Sequence, residues 1–262
     1  MVVALERVTV RVPATVANLG AGFDVLAAAV GVHAEITLAP ARAPQVAVTG
    51  VDVPQDSSNL IYRSAAAVAQ RVGYAGSFAL QAHSPIPLRS GIGSSAAAIV
   101  GGAVAASRLL GDPLGADELL RIATELEGHP DNVAAARAVL PRQVSLEDAV
   151  YNVGHAGLLL VALAQGRPDL LHHALTDRLH QPYRRHLVPG FDKVTAAAIG
   201  AGAYGAVLSG SGPTIAALAP PASAQGVGEA MVEAFQRAGV GSRAIVTGIE
   251  AQGALEEGEH GR

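Results

Sequence analysis

The stretch Pro85–Gly102, PIPLRSGIGSSAAAIVGG, decides how this chain folds. From Ser94 to Leu110 the residues are nearly all small or apolar with helical spacing, which predicts a buried helix. Just before it, RSGIGSS places two glycines and three serines in seven residues. Glycine permits backbone angles that turn several N–H groups toward one point. A helix starting near Ser94 adds its positive dipole end and its unpaired N–H groups at the same point. Charge-assisted hydrogen bonds from such groups suit a polyphosphate. The Ser94 or Ser95 hydroxyl can then face Mg²⁺, which takes oxygen ligands and keeps some of its waters. The lysine of a P-loop is absent, and taken alone the stretch reads equally well as a glycine turn capped by serine.

Composition narrows the choice. The chain has 262 residues, 50% hydrophobic and 15% charged, which suits a globular protein of one large or two modest domains. A net charge of −4 without a basic run argues against a nucleic-acid partner, and 3% aromatics leave few stacking platforms. With no cysteine there is no disulfide, thiolate metal site or cysteine nucleophile. The N-terminus alternates like a strand and lacks a signal-peptide pattern, and runs such as Ala156–Ala164 are too short to span a bilayer. No membrane partner and a cytoplasmic location are therefore expected. His172, His173 and His180 read as one solvated helix face rather than a metal site. Lys193 is the only lysine.

Along the chain, Val8, Val10 and Val12 alternate as a strand ended by Pro13, and a glycine-broken turn feeds a short helix from about Gly22. Residues 32–40 and 45–50 read as strands, 57–73 as a helix with serine at its start and Gly73 at its end, and 77–84 as a strand. Helices are expected over 112–128, 145–166 and 169–184, two strands around a Gly-Ser turn over 203–220, a helix over 223–239 and a last strand over 242–249. The polar tail, 251–262, reads as disordered. Strands and helices mix without strict βαβ alternation, which makes the class α+β.

Three further segments carry candidate chemistry. ELEGHPDNV sets Glu125, Glu127 and Asp131 around a glycine-proline break, where carboxylates can serve a metal and a substrate group or simply end one helix and cap the next. NLGAGFD offers Asn18 and Asp24 to a polar substrate or to turns. SGSGPT (Ser209–Thr214) is a second loop able to approach a phosphate, or a hairpin turn.

In order, PATVANLGAGFDVLAAAV, PIPLRSGIGSSAAAIVGG, EGHPDNVAAA, DRLHQPYRRHLVPGF and GAVLSGSGPTIAAL resemble the successive motifs of the homoserine kinase family, within the GHMP kinase superfamily. The resemblance implies an α+β N-terminal domain followed by a ferredoxin-like C-terminal domain, the site lying between them. It implies transfer of the ATP γ-phosphoryl group to the side-chain hydroxyl of L-homoserine, on the route to threonine, and it allows a homodimer. Carried over by position, Pro87, Leu88, Arg89, Ser90, Gly91, Ile92, Gly93, Ser94, Ser95, Ala96 and Ala97 would wrap the ATP phosphates. Ser94, Ser95 and Glu127 would lie nearest Mg²⁺, and Asn59 near the adenine. Asn18, Asp24, Asp131, Asn132, Arg137 and Arg184 would form the homoserine pocket, with Asp131, Asn132 and Glu127 as the catalytic group and Arg184 offered to the substrate carboxylate. The related mevalonate kinases carry a lysine in the first motif, where this chain has RVPATVANLG.

The chain departs from the pattern at one place. After EGHPDNVAAA the family continues through several strands before an arginine that matches Arg137, so a break of some forty to fifty residues relative to the family is read between Ala136 and Arg137. Three readings stay open: residues skipped in the numbering, an engineered deletion, or a naturally shortened homologue. The alternative functions are correspondingly an inactive, shortened relative that binds nucleotide, or a GHMP kinase with another small hydroxylated substrate. The expected division is residues 1–136 for the ATP-binding domain, 137–250 for the C-terminal domain and 251–262 for the tail. A sheet that loses strands is left with an edge that needs cover.

Overall fold

The computed structural model describes residues 3–127 and 136–256. Its main sheet has the order β3-β4-β2-β1-β7, built from β1 (Val8–Ala17), β2 (Ala27–Ala41), β3 (Gln45–Thr49), β4 (Ser77–His83) and β7 (Leu255–Glu256). Only the β3–β4 pairing is parallel. Helices α1 (Leu60–Val72) and α2 (Ser94–Leu109) cover this sheet, with α3 (Ala116–Glu127) outside them. Alternation puts Val8, Val10 and Val12 of β1 and Ile36 and Leu38 of β2 inward, against Ile61, Val68, Ala103 and Leu109 of the helices.

Helix α2 lies deep because its sequence is small where it touches its neighbours. A side chain at Gly101 would strike Ile36 and Val12 of the sheet, and one at Gly102 would fall 2.3 Å from the Ile61 carbonyl of α1. The Gly-Gly pair therefore lets one helix sit between a sheet and another helix. Replacing Gly102 with valine should cost about 1–3 kcal/mol through overpacking, read as a fall of several degrees in a thermal melt. An unchanged melt would contradict this packing.

The C-terminal half contains α4 (Leu146–Ala164), two short helices α5 (Leu171–Ala174) and α6 (Gln181–Arg184), α7 (Phe191–Gly200), the hairpin β5 (Gly205–Leu208) and β6 (Ile215–Leu218), and α8 (Ala224–Arg237). Helix α4 packs Leu159 and Ala162 with Val207, Leu171 and Leu175, while α7 and α8 form separate clusters with Leu208, Ile215 and Ala206.

The structure corrects several sequence expectations. Strand β1 runs through Pro13, with a register shift between Pro13 and Ala14. Proline lacks the N–H a ladder needs, and an irregularity is where a strand tolerates it. No helix starts at Gly22: Ala27–Ala41 is β2, because pairing with β1 overrides the helical preference of its alanines. Asn59, not a serine, caps α1, and Gly73 ends it in the left-handed conformation.

The single helix expected over 169–184 is broken. The buried Asp177 carboxylate accepts the N–H groups of Leu179, His180 and Gln181 and so starts a new turn at α6. Residues 243–248 form no ladder. Ala244 and Val246 lie near Gly228 of α8 but stay exposed, and Ile249, at the end of the expected strand, makes an isolated bridge to Val30; among the described residues the C-terminal sheet holds only β5 and β6. Within the expected tail, Leu255 and Glu256 form a short strand and pair with Arg11 and Val10 of β1.

Candidate active site

Three loops from distant parts of the chain meet through their backbones. The Ser209 hydroxyl donates to the Gly91 carbonyl at 2.7 Å, and the Thr214 N–H donates to the Ser90 carbonyl at 3.2 Å. The Gly210 N–H donates to the Ala17 carbonyl at 2.9 Å, and the Thr15 N–H to the Ile92 carbonyl at 3.1 Å. These bonds hold RSGIGSS, the end of β1 and SGSGPT in one place. Gly91, at φ +84°, has the Ser209 carbonyl 2.4 Å from where a Cβ would stand, so only glycine fits there.

The start of α2 faces this junction. Its N-cap, Gly93, is left-handed and supplies no capping side chain. The first-turn N–H groups of Ser94, Ser95 and Ala96 thus keep their capacity for an outside acceptor, which is the chemistry of an anion site at a helix N-terminus. Leu88 and Arg89 are exposed, Pro87, Ser90, Gly91, Gly93, Ser94, Ser95 and Ala96 are half-buried, and Ile92 and Ala97 are buried. Arg89 adopts φ +53°, and Asn18 and Asp24 adopt +62° and +55°. Left-handed non-glycine residues carry strain and cluster at functional sites.

Beside the junction lies a polar group. Asn18 bridges two elements, its amide donating to the Gly210 carbonyl at 3.0 Å while its oxygen accepts the Asp24 N–H at 2.9 Å. Asp24 receives both terminal nitrogens of Arg137, at 2.9 and 3.2 Å, a bidentate pair that leaves both side chains about half exposed. Arg184 is buried. It donates to the Ala136 carbonyl at 3.0 Å and the Gly210 carbonyl at 3.3 Å, and its guanidinium lies 4.9 Å from the centre of the Phe23 ring. Burial lowers its pKa, and Asp24 counters that by raising it. A guanidinium is not deprotonated in proteins, so it remains a cation.

The structure therefore brings together Asn18, Asp24, Arg137, Arg184 and the Pro87–Ala97 loop. Arg137 sits on the helical residues 136–138, which run across the Ala136–Arg137 junction, and it reaches Asp24. Asp131 and Asn132 lie outside the described residues. Glu127 is exposed at the end of α3, and no group of three or more His, Cys, Asp or Glu side chains able to hold a metal occurs among the described residues. Asn59 is buried and occupied in starting α1: its oxygen accepts the Ile61 N–H and its amide donates to the Pro54 carbonyl. Lys193 is exposed on α7 and lines a cavity of about 560 Å³ with Arg185, His186, Phe191 and Arg237, none of which belongs to the loop junction.

Sequence reasoning missed Ser209 as the clasp on Gly91, and it misplaced His180. That side chain is fully buried, stacked on Phe23, with Nε2 3.0 Å from the Gly20 carbonyl. The signal was Asp177 followed five residues later by Pro182, a helix-start pattern that separates His180 from His172 and His173.

The GHMP kinases N terminal domain model matches residues 59–138, and the GHMP kinases C terminal model matches 159–237. A homoserine kinase of Synechococcus sp. is 39% identical over 97% of this chain and 99% of its own length, and one of Moorella thermoacetica is 41% identical over 88% and 93%. The chain belongs to the homoserine kinase family of the GHMP kinases. The crystal structure of homoserine kinase from Cytophaga hutchinsonii superposes with a TM-score of 0.85 at 30% identity, over 98% of this chain and 99% of that one.

Proposed function

We propose that this chain is an ATP-dependent kinase that transfers the γ-phosphoryl group to the side-chain hydroxyl of L-homoserine, giving O-phospho-L-homoserine for threonine biosynthesis. The observation that carries the reading is the uncapped start of α2, wired through Gly91 and Ser209 to a cluster of Asn18, Asp24, Arg137 and Arg184. A polyanion site then lies beside groups matched to an amino acid, with the family relationship in support. Residues 1–136 would carry the nucleotide side and part of the acceptor pocket, and 137–250 would add Arg137 and Arg184 to that pocket. Both substrates are soluble metabolites of the cytoplasm. Among the described residues no helix is long and apolar enough to cross a membrane.

Phosphoryl transfer asks a protein for positioning and charge stabilisation more than for covalent chemistry. The N–H groups of Ser94, Ser95 and Ala96 hold the transferring phosphates. Arg184 takes the homoserine carboxylate as a two-pronged donor, and Asn18 and Asp24 orient the rest of the acceptor. Asp131 and Asn132 are assigned to the hydroxyl end. Mg²⁺ fits the donor set, since it is commonly held by one or two carboxylates and the substrate's own phosphates. Ser94, Ser95 and Glu127 would hold it, and it would supply charge neutralisation on the phosphates.

Replacing Glu127 with alanine should lower turnover roughly 10²-fold while leaving the melting temperature nearly unchanged, because the side chain is exposed. Near-normal turnover would remove Glu127 from the metal role. The reading as a whole is tested by ADP release with L-homoserine, mevalonate, L-serine or no acceptor. Turnover is expected with L-homoserine above the others; turnover with mevalonate and none with homoserine would overturn it.

A further inference from the structure

His180 is the one described residue whose buried side chain keeps a polar atom, Nδ1, without a partner. Its other nitrogen faces the Gly20 carbonyl at 3.0 Å, and its ring lies 4.9 Å from that of Phe23, inclined by only 20°. The same Phe23 ring carries the Arg184 guanidinium 4.9 Å from its centre. Gly20 and Phe23 both belong to the turn that presents Asp24, and that turn is pinned at Asn18 as well. His180 thus touches the Asn18–Asp24 turn twice, once by hydrogen bond and once by stacking, and supports Arg184 through Phe23.

The chemistry fixes the form of the ring. A carbonyl only accepts, so Nε2 carries the proton. Burial lowers the pKa from its ordinary 6.5, which keeps the imidazole neutral and Nδ1 bare. The Asp177 carboxylate stands 3.6 Å from Nε2, beyond a hydrogen bond, and is already engaged by Asn152, Leu179, Gln181 and the His180 N–H. A group placed for packing alone would gain by being apolar here, because the unpaired nitrogen is a cost. Phenylalanine offers the flat face without the donor, and glutamine offers the donor without the face. Imidazole offers both.

We propose that His180 is a positioning residue for the acceptor amino acid: its Nε2–H and its ring together set the Gly20–Asp24 turn and the Phe23–Arg184 stack that receive homoserine. This rests on the homoserine reading of that pocket. The contacts made by the α2 start and the Ser209–Gly91 clasp do not involve His180, so ATP binding should be insensitive to it.

The test compares the wild type with His180→Phe and His180→Gln. His180→Phe should raise KM for L-homoserine about tenfold, the scale of one lost hydrogen bond, with KM for ATP changed less than about twofold. His180→Gln, which restores a donor near the Nε2 position, should recover part of that loss. KM for both substrates rising together, or no change in either, would overturn the assignment. A second readout needs no turnover: ¹⁵N-histidine NMR of the free wild-type protein should show one ring with the proton on Nε2 that keeps its neutral form to lower pH than an ordinary imidazole. The Nδ1–H form would overturn the proposal. A wild type that fails to use homoserine while its NMR signal is as expected would sink the homoserine reading and, with it, the acceptor role.

Discussion

Gly91→Ala is expected to lower kcat/KM about a hundredfold or more and to weaken ATP binding, because it moves the phosphate loop. Gly91 holds φ +84°, and an added Cβ would meet the Ser209 carbonyl at 2.4 Å and the Gly212 carbonyl at 2.9 Å. Both obstacles are backbone in a hydrogen-bonded turn, closed by Ser209–Thr214 and Gly212–Ser209 bonds, so neither gives way cheaply. The loop must shift instead, taking the Ser94–Ala96 N–H groups with it, and a displacement near 1 Å costs on the order of 10²-fold in rate. Gly166→Ala is the control. Gly166 is also left-handed, at φ +60°, but nothing lies within 4 Å of its Cβ position. Steady-state kinetics should show the loss at position 91 only; equal losses at both positions would point to backbone strain rather than to the clasp between the loops.

Arg184→Ala is expected to cut kcat/KM for L-homoserine by roughly 10²–10³-fold, the scale of leaving a buried charge partner unmatched. The guanidinium is buried, and removing it leaves the Ala136 and Gly210 carbonyls without its donors and the Phe23 face uncovered. Arg184→Lys should recover little, since an ammonium cannot span both carbonyls and a carboxylate in one plane. ATP affinity should change far less than homoserine affinity in both variants. A uniform loss of affinity for both substrates would assign Arg184 to holding the fold together and remove it from the acceptor pocket.

The phosphate loop and its helix were legible because local and global signals agree there. Small residues at Gly101 and Gly102, glycines where the backbone turns left-handed, and apolar periodicity all describe one buried helix with a free N-terminus. Legibility failed where tertiary pairing overrode local preference. The alanines of Ala27–Val30 favour a helix alone but pair with Ala14–Ala17 in the sheet. Arg243–Gly248 alternates like a strand, yet among the described residues no neighbour forms a ladder with it. Asn59 rather than the expected serine starts α1, its oxygen accepting the Ile61 N–H and its amide donating to the Pro54 carbonyl.

The site was legible in part. Asn18, Asp24, Arg137 and Arg184 come from four separated stretches, and family resemblance grouped them before any geometry did. What sequence did not reveal is the wiring: Arg137 closing on Asp24 from a segment that follows the join, and Ser209 clasping Gly91. His180 escaped for a physical reason. Its role depends on a buried ring stack and one carbonyl 160 residues away, and neither leaves a periodic trace.

The central claim is phosphoryl transfer to homoserine rather than to water or to another alcohol. Incubating the protein with ATP, Mg²⁺ and L-homoserine and following ³¹P NMR tests it most directly. The account predicts a phosphomonoester signal of O-phospho-L-homoserine growing in step with ADP, one for one. ADP appearing with inorganic phosphate alone, or no ADP beyond the acceptor-free control, would contradict it.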